Sequence, residues 1–496
     1  MIVAHATKCE SFLPDLRRIA TAAAEWADIR FMVLLSDSAD AGNRESLADD
    51  IGNDWSFPIL IDRSQIIGAS LGFEQAGEAV VADPLTWRAS YVGTRFLSFL
   101  AEALRDDPTA TGTDCYLDVP GVPEISYRKD IVPLLANKCV TCHRLGGAGP
   151  WAMTDYTVIR GFAPMIREVV RTKRMPPWRA DPLFGEFAND RSLSPHEARR
   201  LVQWIEAGAP HNGNGEDALQ GDQVAVSEWS LGTPDLVVDI PEYEVPARGI
   251  VAYRYPTVKN PLDRDVWVRG IEIAPGDRLA LHHALVAVDG SGDGGPASVS
   301  SIGSLGGYAP GDPVLQYPRN AGVLLPAGAV LTFQMHYTPY GRAVTDRSRV
   351  AFYSHDEPPA RVMRVAMLAN TGIRIPAYAK SHRETISRAF HRSVLIYSLL
   401  PHAHYRGKAS EFRAIYPDGS EEVLLSVPKY DFNWQTNYVL REPKVLSAGT
   451  RIVHTTWWDN SSENLGNPDP GTEVRWGFQS SDEMMIGWIT FSYINE

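Results

Sequence analysis

The chain has 496 residues with a formal net charge of −13 at pH 7, and 44% of its residues are hydrophobic. This length is too great for one hydrophobic core, and the composition is that of a globular protein, so several domains are expected. The acidic charge argues against nucleic acid as a partner, and no apolar run is long enough to span a membrane.

The first predicted domain, residues 1–110, alternates short β runs with helical patterns and is typical of a small α/β layer. Strands are predicted at residues 2–5, 29–36, 57–61, 79–82 and 90–92, and helices at residues 12–26 and 95–104. Cys9 follows the first strand, where thioredoxin-like folds carry a reactive thiol, but Cys9-Glu10-Ser11-Phe12 has no second cysteine. The segment resembles a redoxin domain. Cys9 leaves open a thiol peroxidase or disulfide enzyme, and also a structural disulfide with Cys115.

The chain begins only a few residues ahead of Cys9, whereas a redoxin domain has further strand material there. We therefore expect the native product to start upstream of Met1 and to include an export signal, which places the protein in the periplasm or outside the cell. N-terminal sequencing of the mature protein tests this expectation, because a mature chain that starts at Met1 would contradict it.

A helical pattern covers the second predicted domain, residues 123–212, which contains Cys139-Val140-Thr141-Cys142-His143. In this spacing two thiols attach to the vinyl groups of haem, and the adjacent histidine becomes an axial ligand. The sequence predicts one covalent c-type haem on Cys139 and Cys142, with His143 as a ligand to its iron. The alternative is a redox Cys-x-x-Cys with an incidental histidine.

A low-spin electron-transfer haem needs a second axial ligand. The candidate is Met175, in Arg174-Met175-Pro176-Pro177-Trp178. A thioether opposite histidine would raise the reduction potential of the haem. The alternative is a methionine that only packs in the core. Residues 140–210 also resemble the cytochrome c domains of large bacterial multidomain proteins, on Met175-Pro176-Pro177-Trp178 and Arg191-Ser192-Leu193-Ser194.

From residue 229 onward, short β runs are interrupted by Gly, Pro, Asn and Asp, a texture typical of β-sandwich or jelly-roll domains. Two such domains are predicted, at residues 226–370 and 371–496. The complete fold prediction is therefore a multidomain α+β chain with a thioredoxin-like α/β domain, an α-helical cytochrome c domain and two jelly-roll-like β-sandwich domains.

Histidines in this β region stand in informative local patterns. His282 and His283 are adjacent on a predicted strand, so one of them must depart from the alternation of side chains if both are to bind one metal. His336, in Phe333-Gln334-Met335-His336-Tyr337, supplies a third imidazole from another strand. His402 and His404 have i, i+2 spacing, which on a strand directs both rings to one face.

The ligand types indicate which metal these patterns favour. Imidazoles suit copper, zinc or iron, whereas a thioether beside two imidazoles favours Cu(I) over zinc. Met484, in Ser481-Asp482-Glu483-Met484, is the candidate thioether on a late strand. Each pattern alone is weak: a His-x-His pair is as often a structural zinc site or a coincidence, and a His-His pair can simply line a core. His391 and His454 are predicted to be structural or rim residues.

The order of these motifs is His-His, then Gln-x-His-Tyr, then His-x-His, then the methionine. It resembles the copper type II monooxygenases, the family of peptidylglycine hydroxylase and dopamine β-monooxygenase, over residues 229–496. The resemblance implies two copper ions, one that stores electrons and one that binds O2, and hydroxylation of a C–H bond with two electrons per turnover. The first copper would be held by His282, His283 and His336, and the second by His402, His404 and Met484.

The chain departs from the peptide-amidating members of this family where they hold a substrate carboxylate. Leu400, Ile486 and Trp488 occupy those positions, so peptide amidation is disfavoured and an apolar or aromatic small molecule is the expected substrate. Electrons would come from an ascorbate-like reductant or a redox protein, and the tethered haem is hypothesised to relay them to the first copper. The alternative function is a non-catalytic electron-transfer or copper-binding protein.

Overall fold

A computed structural model describes five strands within residues 1–93, and residues 125–494 apart from 146, 148, 213–216, 218, 220–228, 290–303 and 309–313. The predicted helices at residues 12–26 and 95–104, together with Cys9 and Cys115, lie outside the described residues. The chain divides into two compact units. The N-terminal unit comprises Met1–Thr141, Met153–Pro176 and Leu193–Gly221, and the β-rich unit comprises Cys142–Ala152, Pro177–Ser192 and Asp222–Glu496. The bounds of the four predicted domains stay predictions.

The N-terminal unit contains a five-stranded sheet in which all five predicted strands are present. The strands are β1 (Ile2–His5), β2 (Met32–Ser36), β3 (Ile59–Asp62), β4 (Ala79–Ala82) and β5 (Ala89–Gly93), in the spatial order β3-β2-β1-β4-β5. Strands β1, β2 and β3 pair in parallel, whereas β4 is antiparallel to both β1 and β5.

The same unit contains helices where the sequence predicts a helical pattern. Helix α1 comprises the consecutive stretches Tyr127–Ile131, Val132–Leu135 and Ala136–Val140, followed by α2 (Tyr156–Arg171) and α3 (Pro195–Glu206). Each helix begins at a side chain that accepts a hydrogen bond from a free backbone N–H: Ser126, Asp155 and Ser194. Helix α3 has a complete capping box, because Glu197 also accepts from the backbone N–H of Ser194.

The β-rich unit contains a two-sheet sandwich, here called sandwich one. One sheet has the order β11-β10-β14-β8, from β8 (Thr257–Lys259), β10 (Leu281–Asp289), β11 (Ser304–Tyr308) and β14 (Val330–Tyr337). The other has the order β17-β13-β9-β16-β6, from β6 (Leu236–Asp239), β9 (Val266–Ala274), β13 (Ala321–Leu325), β16 (Arg349–His355) and β17 (Arg361–Val362), with β12 (Val314–Gln316) paired to β9. Strands β7 (Tyr243–Val245) and β15 (Val344–Asp346) form a separate pair. Ile271 and Phe352 from one sheet share a core with Val286 and Phe333 from the other.

Sandwich two follows in the same unit and is built from two four-stranded sheets. One has the order β18-β27-β21-β24, from β18 (Arg364–Ala369), β21 (Val394–His402), β24 (Tyr438–Leu446) and β27 (Ile486–Tyr493). The other has the order β20-β25-β22-β23, from β20 (His382–Ala389), β22 (Gly407–Ile415), β23 (Glu421–Val427) and β25 (Arg451–Trp458). Strands β19 (Arg374–Ile375) and β26 (Val474–Arg475) form a two-stranded pair. Leu399 and Ile489 face Phe412 and Leu425 across the shared core.

The described part of the chain is therefore mostly β-sheet with few helices, and the predicted β character of residues 229–496 is confirmed. Apolar residues alternate along strands such as β14, whose inner face is buried while its other face is partly exposed. Among the described residues, no helix combines the length and the apolar character needed to cross a membrane.

Candidate metal and haem sites

A β-bulge brings the adjacent histidines of β10 to one place. Leu281 pairs with Tyr337 and His283 pairs with His336, so β10 advances by two residues where β14 advances by one. The extra residue is His282, and a bulge of this kind breaks the side-chain alternation of a strand. The predicted departure from alternation is confirmed.

The three imidazoles of sandwich one form a compact cluster, here called cluster one. Ligand-competent nitrogens of His282, His283 and His336 all lie within 4.8 Å of one another. The Nδ1 atoms of His282 and His283 are 3.4 Å apart, and the ring centroid of His336 lies 5.1 and 5.0 Å from theirs. Three imidazoles this close together could hold a single metal ion.

Cluster one is held in the neutral state that metal binding needs. Burial lowers the pKa of His336 to about 4, with a smaller contribution from the charges of neighbouring histidines. Burial also lowers the pKa of His282 and lowers that of His283 still further. The Nδ1 of His336 is buried and has no hydrogen-bond partner among the described residues, so a lone pair is available to a metal. The residues therefore fit a metal ion such as copper.

Three neighbours hold cluster one in place. Gln334 Oε1 lies 3.2 Å from His283 Nε2, and Gln334 Nε2 donates to the hydroxyl of Tyr255. Such partners fix the orientation of a ligand ring and the position of its proton. The ring of Tyr253 packs against that of His336, with centroids 4.5 Å apart. Gln334 belongs to the predicted motif, but no local sequence signal identifies the two tyrosines.

The second pair of histidines lies at the end of β21, and its placement corrects the sequence prediction. His402 is the last residue of the strand, whereas His404 lies beyond it, so strand alternation does not direct both rings. The two ring centroids are nevertheless 5.2 Å apart. His402 Nδ1 lies 2.6 Å from Gln435 Oε1, and His404 Nδ1 lies 3.2 Å from the carbonyl oxygen of Asp482. Because both partners accept, each Nδ1 carries the proton and each Nε2 is left as the ligand atom.

Burial also keeps this pair neutral. It lowers the pKa of His402 to about 4 and that of His404 to about 3, with His402 adding to the second shift. The two histidines and Met484, the predicted thioether ligand, are here called cluster two. Met484 is buried but lies two residues before β27 rather than on a strand, which is a second correction.

Glu483 connects the two segments that form cluster two. Its carboxylate is fully buried and accepts from the backbone N–H of His404 at 2.8 Å and of Arg406 at 2.7 Å. It also accepts from Trp458 Nε1 at 3.1 Å and from the N–H of Met484 at 3.3 Å. Burial raises the pKa of Glu483 to about 7 against the lowering effect of these donors. One carboxylate thus fixes the backbone on both sides of the cluster.

The two clusters face each other, and Phe432 lies between them. Its ring stacks on that of His282 with centroids 5.6 Å apart and an interplanar angle of 16°, and it meets the ring of His404 edge-on with centroids 5.9 Å apart. The charge of His402, if protonated, lowers the pKa of both His283 and His336, which reflects the proximity of the clusters. No sequence pattern pointed to Phe432 or to Gln435, because both lie on a loop far from the histidines in sequence.

Leu400, Ile486 and Trp488, the residues from which an apolar or aromatic substrate is predicted, lie on the strands next to His402. Leu400 on β21 pairs with Trp488 on β27, and His402 pairs with Ile486. The ring centroids of Trp488 and His402 are 5.8 Å apart. These side chains present apolar surface and no cationic group to this face of the cluster.

The residues predicted to bind haem fall in both units, so each is described within its own unit. Cys139 lies in the last stretch of α1. Met175 follows α2, and its backbone N–H donates to the carbonyl of Val169 in that helix. In the β-rich unit, Cys142 is a free, partly buried thiol. His143 Nδ1 lies 2.9 Å from the carbonyl oxygen of Trp151, so this nitrogen donates and Nε2 remains available as a ligand.

Gly149 leaves room for the ring of His143. A Cβ atom at Gly149 would lie 2.7 Å from His143 Nδ1, closer than side chains tolerate. The position therefore requires glycine while this ring orientation is kept. The arrangement of His143 fits an axial haem ligand.

Comparison with known proteins gives no family. No family model and no curated protein matches the chain. Among solved structures, the major capsid protein P2 of bacteriophage PM2 aligns with 10% identity over 52% of this chain and 98% of its own, with a TM-score of 0.26. The tandem CBM22 domains of Xyn10C from Paenibacillus barcinonensis align with 12% identity over 49% and 83%, with a TM-score of 0.14. Scores this low carry no functional inference.

Proposed function

We propose that the β-rich unit is a copper-dependent monooxygenase of the copper type II class, which hydroxylates a C–H bond of a small organic substrate with O2. The observation that carries this proposal is the pair of facing clusters, each of buried neutral imidazoles with ligand nitrogens left free. Cluster one would supply three histidines. Cluster two would supply two histidines and the thioether of Met484, whose backbone N–H donates to the same Glu483 oxygen as that of His404. The thioether ligand favours copper, because structural zinc sites are built from cysteine and histidine rather than methionine.

The residues of the two clusters have distinct tasks in this proposal. His282, His283 and His336 would hold a copper that stores an electron, and His402, His404 and Met484 would hold the copper that binds and activates O2. Gln435 and the carbonyl of Asp482 keep the Nδ1 protons in place, so that each Nε2 faces the metal. Glu483 keeps the two ligand segments together.

The substrate is proposed to be apolar or aromatic. Trp488 and Ile486 stand beside His402 where a carboxylate-binding enzyme needs polar or cationic groups. A substrate carboxylate at this face would lose its hydration without a compensating partner, which is costly. An apolar molecule packed on Trp488 would instead gain from leaving water.

The electron supply is proposed to include one covalent c-type haem. Cys139 and Cys142 would form the thioethers, His143 would donate Nε2 to the iron, and Met175 would be the opposite ligand. The finer fold assignment belongs to the same proposal: a cytochrome c domain at residues 123–212, a redoxin-like domain at residues 1–110, and jelly-roll topology for both sandwiches. A periplasmic or extracellular location follows from thioether attachment, which takes place outside the cytoplasm.

Metal and haem analysis of protein exported to the periplasm tests the proposal. Two coppers and one covalent haem per chain are expected by elemental analysis and a pyridine haemochrome spectrum. O2 uptake with ascorbate as the two-electron donor, coupled to a hydroxylated product from an aromatic hydrocarbon library, separates the enzyme from a non-catalytic copper protein. Zinc in both clusters, or O2 uptake that never yields a product, would contradict the proposal.

A further inference from the structure

Residues 177–192, here called the strap, belong to the β-rich unit although helical segments of the other unit flank them in sequence. The strap lies along β24. Phe187 forms an antiparallel bridge with Leu440, and the N–H of Ala188 donates to the carbonyl of Val439 at 2.8 Å. Trp178 packs edge-on against Tyr438 with ring centroids 5.0 Å apart. These contacts make the strap an added edge segment of sandwich two.

Residues 428–437, between β23 and β24, are here called the cluster loop, because they reach both histidine clusters. Phe432 stacks on His282 of cluster one, and Gln435 accepts from His402 of cluster two. The Nε2 of Gln435 also donates to the carbonyl of Phe432 at 3.2 Å. The two contacts are therefore coupled, and the loop conformation sets both at once.

One ion pair joins the strap to the cluster loop. Arg179 Nη2 lies 3.0 Å from Asp431 Oδ2, with the side chains 10% and 27% exposed. The other oxygen, Oδ1, accepts from the backbone N–H and the side-chain amide of Asn433 at 3.1 Å. The carbonyl of Asp431 accepts from the N–H of Trp434 at 3.0 Å. Asp431 thus organises the turn that carries Phe432.

How strongly the Arg179–Asp431 ion pair restrains the cluster loop depends on its burial. Exposed ion pairs contribute little to stability, but a pair shielded from water is stronger, and removal of one partner leaves the other poorly solvated. Ten loop residues without regular structure have considerable conformational freedom, which must be restricted to hold Phe432 and Gln435 in place. On the loop side, Tyr430 gives a second anchor, since its hydroxyl donates to the carbonyl of Ala403.

We propose that Arg179 is a positioning residue for the two clusters. Acting through Asp431, it holds Phe432 against His282 and Gln435 against His402, and so fixes the arrangement of the clusters relative to each other. The inference deepens the proposed function and rests on it for the consequence at copper.

Hydrogen exchange of the metal-free chain tests whether Arg179 restrains the cluster loop. In Arg179→Gln, the amides of the cluster loop, that of Trp434 above all, are expected to exchange about tenfold faster. Arg179→Lys, which keeps the charge, should restore much of the protection. The matched control is Arg441→Gln, because the Arg441–Glu186 pair also joins sandwich two to the strap but is 3.6 Å long and exposed. Its loop exchange should equal that of the unchanged chain.

A spectroscopic measurement tests the consequence at copper. The Cu(II) electron paramagnetic resonance spectrum of the loaded protein is expected to change in Arg179→Gln and in Asp431→Asn, and to stay unchanged in Arg441→Gln. Asp431→Asn removes the same ion pair from the other side and replaces Arg179→Gln if that variant does not fold. Unchanged loop exchange and spectrum in both variants, with two coppers bound, would overturn the inference and leave the proposed function intact. A loosened loop in protein that binds no copper would instead overturn the proposed function.

Discussion

The variant Glu483→Gln tests whether Glu483 supports the metal ligands of cluster two in addition to stabilising the fold. The glutamine oxygen can take the place of Oε2, which accepts from His404, Met484 and Trp458. Its amide nitrogen then faces the N–H of Arg406, donor against donor. One buried donor is left unpaired, at a cost of about 1–3 kcal/mol, and the other bonds lose the extra strength that a charged acceptor gives.

The neutral side chain is also easier to bury, which offsets part of this cost, so we expect a net loss of roughly 2–3 kcal/mol in the free energy of unfolding. Copper affinity of cluster two should fall roughly 10- to 100-fold, the usual effect of removing a group that orients a metal ligand. Cluster one should keep its affinity, because Glu483 contacts none of its histidines.

The assays are urea unfolding of the metal-free protein and a Cu(I) competition titration that resolves two sites. Glu272→Gln is the matched control, since Glu272 is also a buried carboxylate that accepts from Ser230 N and from the Tyr353 hydroxyl in sandwich one. It should lose stability without loss of copper affinity. Equal copper affinity in Glu483→Gln and the unchanged chain would refute the role given to Glu483.

Three further predictions concern the other parts of the account. His336→Ala should bind one copper where the unchanged chain binds two, whereas His391→Ala, at an exposed position, should still bind two; elemental analysis after gel filtration measures both. Replacement of both Cys139 and Cys142 by Ala should abolish the haem that survives denaturing electrophoresis, and persistence of that haem would exclude the thioethers. Finally, the metal-free protein should lose stability as pH falls below about 6.5, because unfolded histidines take up protons while buried His454, whose pKa is lowered to about 3, does not. His454→Phe should remove about 1.4 kcal/mol per pH unit of that dependence between pH 6 and 4, as followed by urea unfolding; an unchanged slope would contradict this.

The local sequence patterns were sufficient to locate the five strands within residues 1–93 and the β character of residues 229–496. The histidine motifs at residues 282–283, 336 and 402 also lie on strands, β10, β14 and β21, as predicted. The need for a departure from alternation at His282 and His283 was also predictable, since adjacent residues on a regular strand point to opposite faces. The bulge at His282 is the physical solution.

The placement of cluster two was predicted less well. An i, i+2 spacing indicates a shared face only while the strand continues, and β21 ends at His402. The rings of His402 and His404 converge instead because the chain beyond the strand is fixed by Glu483 and by the carbonyl of Asp482, which are distant in sequence. Long-range hydrogen bonds of this kind leave no periodic signal.

Residues that act from loops were not predictable from the sequence. Phe432 and Gln435 sit in a segment without alternation or a recognisable motif, and their importance depends on which strands the loop connects. The partner of Asp431 is Arg179, which is separated from it by 252 residues. A single sequence contains no local trace of such a contact.

The most direct test of the central claim is a crystal structure of the copper-loaded protein with anomalous data collected on both sides of the copper absorption edge. Two copper peaks are expected, one among His282, His283 and His336 and one among His402, His404 and Met484, with Phe432 between them. Zinc at these positions, or copper bound elsewhere with both clusters vacant, would contradict it.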